Sequence, residues 1–288
     1  QRQMCIRDSG TATEGTDYGT ISDITISAGA TTGTATLDPT DDNVYEGDET
    51  ATIDISSVSG KSGVTENSTQ QVSVTIAENE SAPTVTLATS DTSIAENAGS
   101  SLTLTATLSV ATTADVTVAL STSGTATEGT DYTDGSGAID DIVISAGATT
   151  GTVSFTPNDD SLYDATSNET ATIAISGVSG GSASESGTQT VTITITDNES
   201  APTVTLATSA TSIAENSAST LTLTATLSVA TYQDVTVSIG SSGTATEGTD
   251  YGTVSDITIS AGATTGTATF DPTDDSDETD TVTATLAI

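Results

Sequence analysis

Residues 102–108 read Leu-Thr-Leu-Thr-Ala-Thr-Leu, and the reading of this short stretch decides the fold. In an extended chain successive side chains point to opposite sides, so Leu102, Leu104, Ala106 and Leu108 share one face while Thr103, Thr105 and Thr107 share the other. A helix would scatter the same residues around its circumference. One apolar face and one hydroxylated face describe a half-buried antiparallel strand whose threonines form the solvent side. Working outward, six more runs of this kind lie at 83–89, 115–120, 139–144, 151–156, 171–175 and 189–196, separated by Gly- and Ser-rich turns. Seven short strands so spaced predict an all-β fold, an immunoglobulin-like seven-stranded antiparallel β-sandwich.

The pattern is copied along the chain. GTATEGTDY stands at 10–18, 124–132 and 243–251, spaced by 114 and 119 residues, and NESAPTVTLATS begins at Asn79 and again at Asn198. A period of about 119 residues is the size of one sandwich, so the repeat is the domain. The chain divides into a partial repeat at 1–80, a complete one at 81–199 and a partial one at 200–288. Where the second and third copies read DVTVALSTS and DVTVSIGSS, the chain opens with QRQMCIRDS. Those nine residues hold the only Cys, the only Met and two of the three basic residues, and they read as sequence foreign to the repeat.

Composition removes whole classes of function. The 288 residues carry 40 Asp and Glu against 3 Lys and Arg, a formal charge of −37, with no His, no Trp and one Cys. Without His there is no imidazole-assisted nucleophile and no imidazole metal site, and one Cys makes neither a disulfide nor a thiolate cluster. Three basic residues leave nothing to neutralise phosphates, so neither nucleic acid nor an anionic membrane surface is an expected partner. No apolar run approaches about 18 residues, so no membrane-spanning helix is predicted. A two-carboxylate glycosidase would need aromatic sugar platforms that six Tyr and two Phe scarcely supply, and no enzyme is expected. Carboxylates and hydroxyls remain, and they point to cations.

Strand parity concentrates the acids. If consecutive strands alternate in direction, the loops after strands one, three and five and the exit of strand seven share one end of the sandwich. In the middle repeat these segments hold Glu96, then Glu128, Asp131 and Asp134, then Asp159, Asp160, Asp164 and Glu169, and finally Asp197 and Glu199. The opposite end holds Glu185, with Asp115 at its border. Like charges gathered at one pole are relieved by protonation or by a bound cation. Calcium suits an all-oxygen ligand set because it accepts about 6–8 oxygens in variable geometry, whereas magnesium demands a stricter octahedron. No EF-hand loop is present.

The SIAEN segment, GTATEGTDY, the turn SAGATTG, the acidic loop DDNVYEGDE and the acidic end of strand seven together resemble the Calx-beta domain family. That family serves as the calcium sensor of sodium–calcium exchangers and recurs in large bacterial surface proteins. The resemblance implies Ca2+ ligands in the middle repeat at Glu96, Asp131, Asp159, Asp160, the Leu162 carbonyl, Asp164, Glu169, Asp197 and Glu199. In the first repeat it implies Asp17, Asp41, Asp42, the Val44 carbonyl, Glu46, Glu49, Glu78 and Glu80. The third repeat offers Glu215, Asp250, Asp274 and Asp275, but its acidic loop reads as shrunken to SDETD and lacks the tyrosine. The middle repeat departs by two extra residues before Glu169 and by Asn198 where the family often has Asp. Tyr18, Tyr132 and Tyr251 are expected to pack as corner tyrosines, and Gly15, Gly129 and Gly248 to turn the backbone with positive φ. The expected role is a calcium-binding tandem module of a bacterial secreted or cell-surface protein, an adhesin or stalk whose junctions calcium stiffens. Its partners are then calcium, the neighbouring repeats and an adhesion target; the alternative is a passive spacer.

Overall fold

A computed structural model describes residues 2–60, 62–164, 168–274 and 281–288, with side chains from Ser9 onward. All of its regular structure is β, and the described residues contain no helix long and apolar enough to cross a membrane. The middle repeat shows the design in full. One five-stranded sheet runs Ile142–Ile144, Val116–Gly124, Asn168–Ser179, Thr190–Thr196 and Ser93–Ala95; the other runs Tyr132–Thr133, Thr150–Pro157, Leu102–Leu108, Thr84–Thr89 and Ser184–Glu185. The seven predicted strands are all present. Asn168–Ser179 is much longer than expected because its ends pair with the neighbouring strands beyond the apolar run.

Leu102–Leu108 sits at the centre of its sheet, with Leu104 opposite Val153 on one side and Ala106 opposite Leu87 on the other. Its apolar face closes the core as the alternation requires: Leu104, Ala106 and Leu108 are buried against Val116, Val118, Ile142, Ile144, Phe155, Ile173 and Ile193. Each such side chain contributes about 1.5–3 kcal/mol by leaving water. Smaller separate cores lie in the third repeat, around Leu223, Ile257 and Ile259, and in the first, around Ala12, Tyr18 and Ala51.

The opening residues break the sequence pattern without breaking the backbone pattern. Arg2–Gly10 pairs with Glu49–Ser59 as Val116–Gly124 pairs with Asn168–Ser179, each with one register slip, at Cys5/Ile6 and at Ala119/Leu120. Both strands end on a glycine that nothing larger replaces. A Cβ on Gly124, at φ +125°, would lie 2.0 Å from the Thr170 carbonyl oxygen, and one on Gly10 as close to that of Thr50.

The repeats are joined by more than covalent bonds. Val44–Tyr45, inside the first acidic loop, forms a parallel two-residue ladder with Ala111–Thr112 of the middle repeat. Leu162–Tyr163 pairs in the same way with Ala230–Thr231 of the third. The receiving strand is locked from behind: Thr112 is 1 % exposed, its hydroxyl donates to the Ala114 carbonyl, and its own carbonyl accepts the Gly147 N–H.

Candidate metal centre

The loop between the third and fourth main strands of each repeat begins with GTATEGTDY, and its two acids do different work. Asp131 accepts the Thr127 N–H at 2.6 Å and so folds the loop on itself, while the adjoining Tyr132, 1 % exposed, stacks on Phe155 with ring centroids 4.7 Å apart. The tyrosine anchors the aspartate, as expected of a corner residue; Tyr18 and Tyr251 are buried equally, and Gly15, Gly129 and Gly248 take φ +88°, +83° and +82°. Glu128 turns away from the acidic pole and accepts the Ile139 N–H and the Thr122 hydroxyl. Asp134 closes its own turn on Ser136 and Gly137.

The pole predicted by parity is a real cavity. In the middle repeat Glu96, Asp131, Asp160, Asp164, Glu169 and Asp197 line it together with Leu162 and Asn158, in a volume of about 30 Å³. Carboxylate oxygens of Glu96, Asp160 and Glu199 lie within 4.8 Å of one another. Glu96 is brought there because Ser93–Ala95 pairs with Thr194–Thr196, the strand that leads to Asp197 and Glu199. Asp197 stitches the far wall, accepting the Asp164 N–H at 2.9 Å and the Glu199 N–H at 2.8 Å. Asp159 lies outside the lining and is tied to it by Asn198, whose amide donates to both Glu96 and Asp159 at 2.9 Å.

The first repeat repeats the arrangement. Asp17, Asp42, Val44, Glu46, Glu49, Glu78 and Glu80 line a cavity of about 50 Å³, and oxygens of Asp17, Glu46 and Glu49 come within 4.8 Å of one another. Asp41 is held at the edge by Asn79 at 2.8 Å, as Asp159 is by Asn198. Asp17 is buried, 8 % exposed, and accepts the Thr13 N–H.

No basic side chain lines either cavity. Burial, followed by the charges of Asp131 and Asp164, pushes the Glu169 carboxyl up to about 7. Burial, then hydrogen bonds with Asp197 and Glu96, raises Glu199 to about 7, and burial with the charge of Asp17 raises Glu46 to about 6. Glu78 moves the other way. Burial opposes its ionisation, but N–H groups of Glu46, Glu80 and Gly47 converge on it and bring it down to about 2. One carboxylate oxygen, Glu199 Oε2, is buried without a hydrogen-bond partner. A buried, unpaired acceptor in a nest of mutually repelling acids fits a hard cation held by oxygen and fits nothing softer.

The third repeat assembles no such group among the described residues. Asp250 folds its loop as Asp131 does, accepting the Thr246 N–H at 2.7 Å, while Glu215 and Asp274 line neither of the two acidic cavities and Asp275 lies outside the described residues. Its acidic segment is not shortened: Gly243 faces Ala284 as Gly10 faces Ala51, the same distance along the chain. The deficiency is one of side chains. Counted along the sequence from that pair, Val282 corresponds to Glu49 of the first repeat, and Thr279, which lies outside the described residues, corresponds to Glu46.

Sequence reasoning missed three things here. The tethering role of Asn198 was visible only as a departure from Asp, and that of Asn79 was not seen at all. The inter-repeat ladders carry no pattern of their own, being two residues long. Tyr232, which belongs to the third repeat, lines the middle repeat's cavity.

The Calx-beta domain family matches residues 4–80, 78–199 and 197–281. Among solved structures, the chain is similar to the calcium binding domain CBD12 of CALX1.1 at 16 % identity, covering 67 % of this chain and 86 % of that one with a TM-score of 0.30. A two domain protein of unknown function from Bacteroides fragilis matches at 10 % identity over 66 % of this chain and 84 % of that one, with a TM-score of 0.28. Domains 1–6 of the surface layer protein SbsC match at 15 % identity over 98 % of this chain and 49 % of that one, with a TM-score of 0.22. No curated protein sequence matches the chain.

Proposed function

The chain belongs to the Calx-beta domain family, whose members are calcium-binding β-sandwiches, and on that premise we propose that its first two repeats bind calcium and use it to stiffen the array. In the middle repeat the ligands are Glu96, Asp131, Asp160, the Leu162 carbonyl, Asp164, Glu169, Asp197 and Glu199, with Asp159 contributing from the rim. In the first they are Asp17, Asp42, the Val44 carbonyl, Glu46, Glu49, Glu78 and Glu80, with Asp41 at the rim. Bound calcium supplies positive charge at the point where these carboxylates repel. Glu215, Asp250, Asp274 and Asp275 form at best a degenerate third site.

One observation carries the reading. Val44 and Leu162, whose carbonyls would be ligands, are the residues that pair with the next repeat. Ordering the acidic loop therefore orders the strand that docks on the neighbour, while Glu78 and Glu80, or Asp197 and Glu199, fix the two or three residues of linker that follow. A chain of this kind is stiff and protease-resistant with calcium and loose without it. Such behaviour suits a stalk or adhesin segment on a bacterial surface, where modules of this class bind calcium at roughly 10⁻⁴–10⁻³ M.

The test is thermal unfolding and limited proteolysis of the full chain in chelator, in excess magnesium and in millimolar calcium. At 10 times its dissociation constant a bound ion adds about 1.4 kcal/mol to the repeat that holds it, a shift of a few degrees. A calcium-specific shift with protection of the segments at 77–83 and 196–202 is expected. Equal melting in all three conditions sinks the proposal and leaves an acidic passive spacer.

A further inference from the structure

The two cavities differ at one wall. Every residue lining the first belongs to the first repeat, whereas the second includes Tyr232, supplied by the third repeat. Tyr232 follows directly on the Ala230–Thr231 ladder, and its N–H donates to the Tyr163 carbonyl at 3.1 Å, extending the docked segment by one bond. The middle repeat's docking strand, Ala111–Thr112, is followed instead by Thr113, which has no ring to offer. Thus a tyrosine is brought to one acidic cavity by backbone pairing with the adjacent domain, and no residue of the adjacent domain lines the other.

We infer that the third repeat completes the cation site of the middle repeat, with Tyr232 as a positioning residue that makes this site tighter than the one in the first repeat. The inference rests on the calcium reading above. The physical reason is local. Asp160, Leu162, Asp164 and Tyr232 share one cavity, and the strand between the two acids is clamped at Leu162 and Tyr163 by the ladder that carries the ring. The clamp lowers the ordering cost of binding, but Val44 and Tyr45 are clamped in the same way in the first repeat, so it is Tyr232 that distinguishes the two sites. A ring held at that wall would replace water, and less water there would strengthen the attraction between a cation and the surrounding carboxylates. Tyr232 remains 58 % exposed, so it forms a wall at the mouth and not a lid over it.

The experiment exchanges the two residues in the full chain. The first site is silenced by Asp17→Asn with Glu49→Gln so that calorimetric titration reads the middle site alone, and calcium affinity is compared for Tyr232, Tyr232→Phe and Tyr232→Thr. A loss on the order of 10-fold is expected for Tyr232→Thr, as for other residues that support metal ligands from outside. Tyr232→Phe, which keeps the ring, restores most of the affinity. In the reciprocal chain, with the middle site silenced by Asp160→Asn and Asp197→Asn, Thr113→Tyr tightens the first site. Melting in chelator serves as control and should be the same for all Tyr232 variants, since the residue lies outside every core. If the parent chain binds calcium and Tyr232→Thr binds it equally well, the inference is overturned while the calcium reading stands. If the parent chain binds no calcium at all, both fall together.

Discussion

Protons and calcium compete for the same oxygens, and the structure sets the size of the competition. Glu169 and Glu199 of the middle repeat titrate near pH 7, raised first by burial and then by neighbouring acids. Treated as independent acids, each is about nine-tenths ionised at pH 8 and about one-tenth at pH 6, so requiring both carboxylates weakens apparent affinity by roughly 100-fold over that span. Solvent screening at this partly exposed site narrows the expected loss to on the order of 10- to 100-fold. Near pH 7 each group gives up about half a proton on binding, so about one proton leaves per middle-repeat ion. The sign for stability is opposite with and without calcium. Both folded values lie above the ordinary 4.5, so the stability they contribute is complete below about pH 4.5 and is lost as pH rises through about 7. The calcium-free chain should melt higher at pH 6 than at pH 8, and the calcium-induced gain should be smaller at pH 6 than at pH 8. Calorimetric titration at pH 6, 7 and 8, in two buffers of different ionisation enthalpy, measures affinity and proton release together. An affinity unchanged from pH 8 to pH 6, with no proton released, would refute the crowded-carboxylate account.

Other consequences can be checked singly. Asn198→Asp replaces the amide that joins Glu96 and Asp159 with a third acid, so it should lower the melting temperature in chelator and enlarge the calcium-induced rise. Phe155→Ala removes the ring stacked on Tyr132 and should cost about 3–5 kcal/mol in denaturant unfolding of the middle repeat, with loss of calcium response through Asp131. Gly181→Ala would bring its Cβ within 2.8 Å of the Thr112 hydroxyl at a φ of +52°, and should destabilise by about 1–3 kcal/mol and loosen the junction to protease. In the third repeat, Val282→Glu together with Thr279→Glu restores the acids that the register leaves out, and an additional bound calcium per chain is expected by titration.

Much of this was legible before any coordinates. The alternation in Leu102–Leu108 specified a strand and its buried face because period two admits only one way to put four apolar residues together. Parity then placed the acids at one pole, since strand direction fixes which loops are neighbours whatever the details of pairing. Particular side chains were harder. Glu128 and Asp134 sit in the right loops but spend their oxygens on nearby N–H groups, a choice made by backbone geometry that spacing does not reveal. Loop length in the third repeat was misjudged for a related reason: without the register of Gly243 against Ala284, a lost tyrosine looks like a lost residue. Tyr232 was beyond reach, because it acts on a repeat other than its own.

The pairing of Ser93–Ala95 with Thr194–Thr196 sets a timetable for synthesis. The sheet of the middle repeat that holds Ser93–Ala95 cannot close until its seventh main strand has been made, about 100 residues after the edge strand that waits for it. At 5–20 residues per second this leaves an open edge for roughly 5–20 s. During that interval nearly identical segments from the neighbouring copy are tethered close by, and an exchange of edge strands between repeats is the characteristic error of such arrays. The divergence of the three acidic loops, and the Tyr232 that stands where the middle repeat has Thr113, then take on a second meaning: they make the copies distinguishable to one another while they fold.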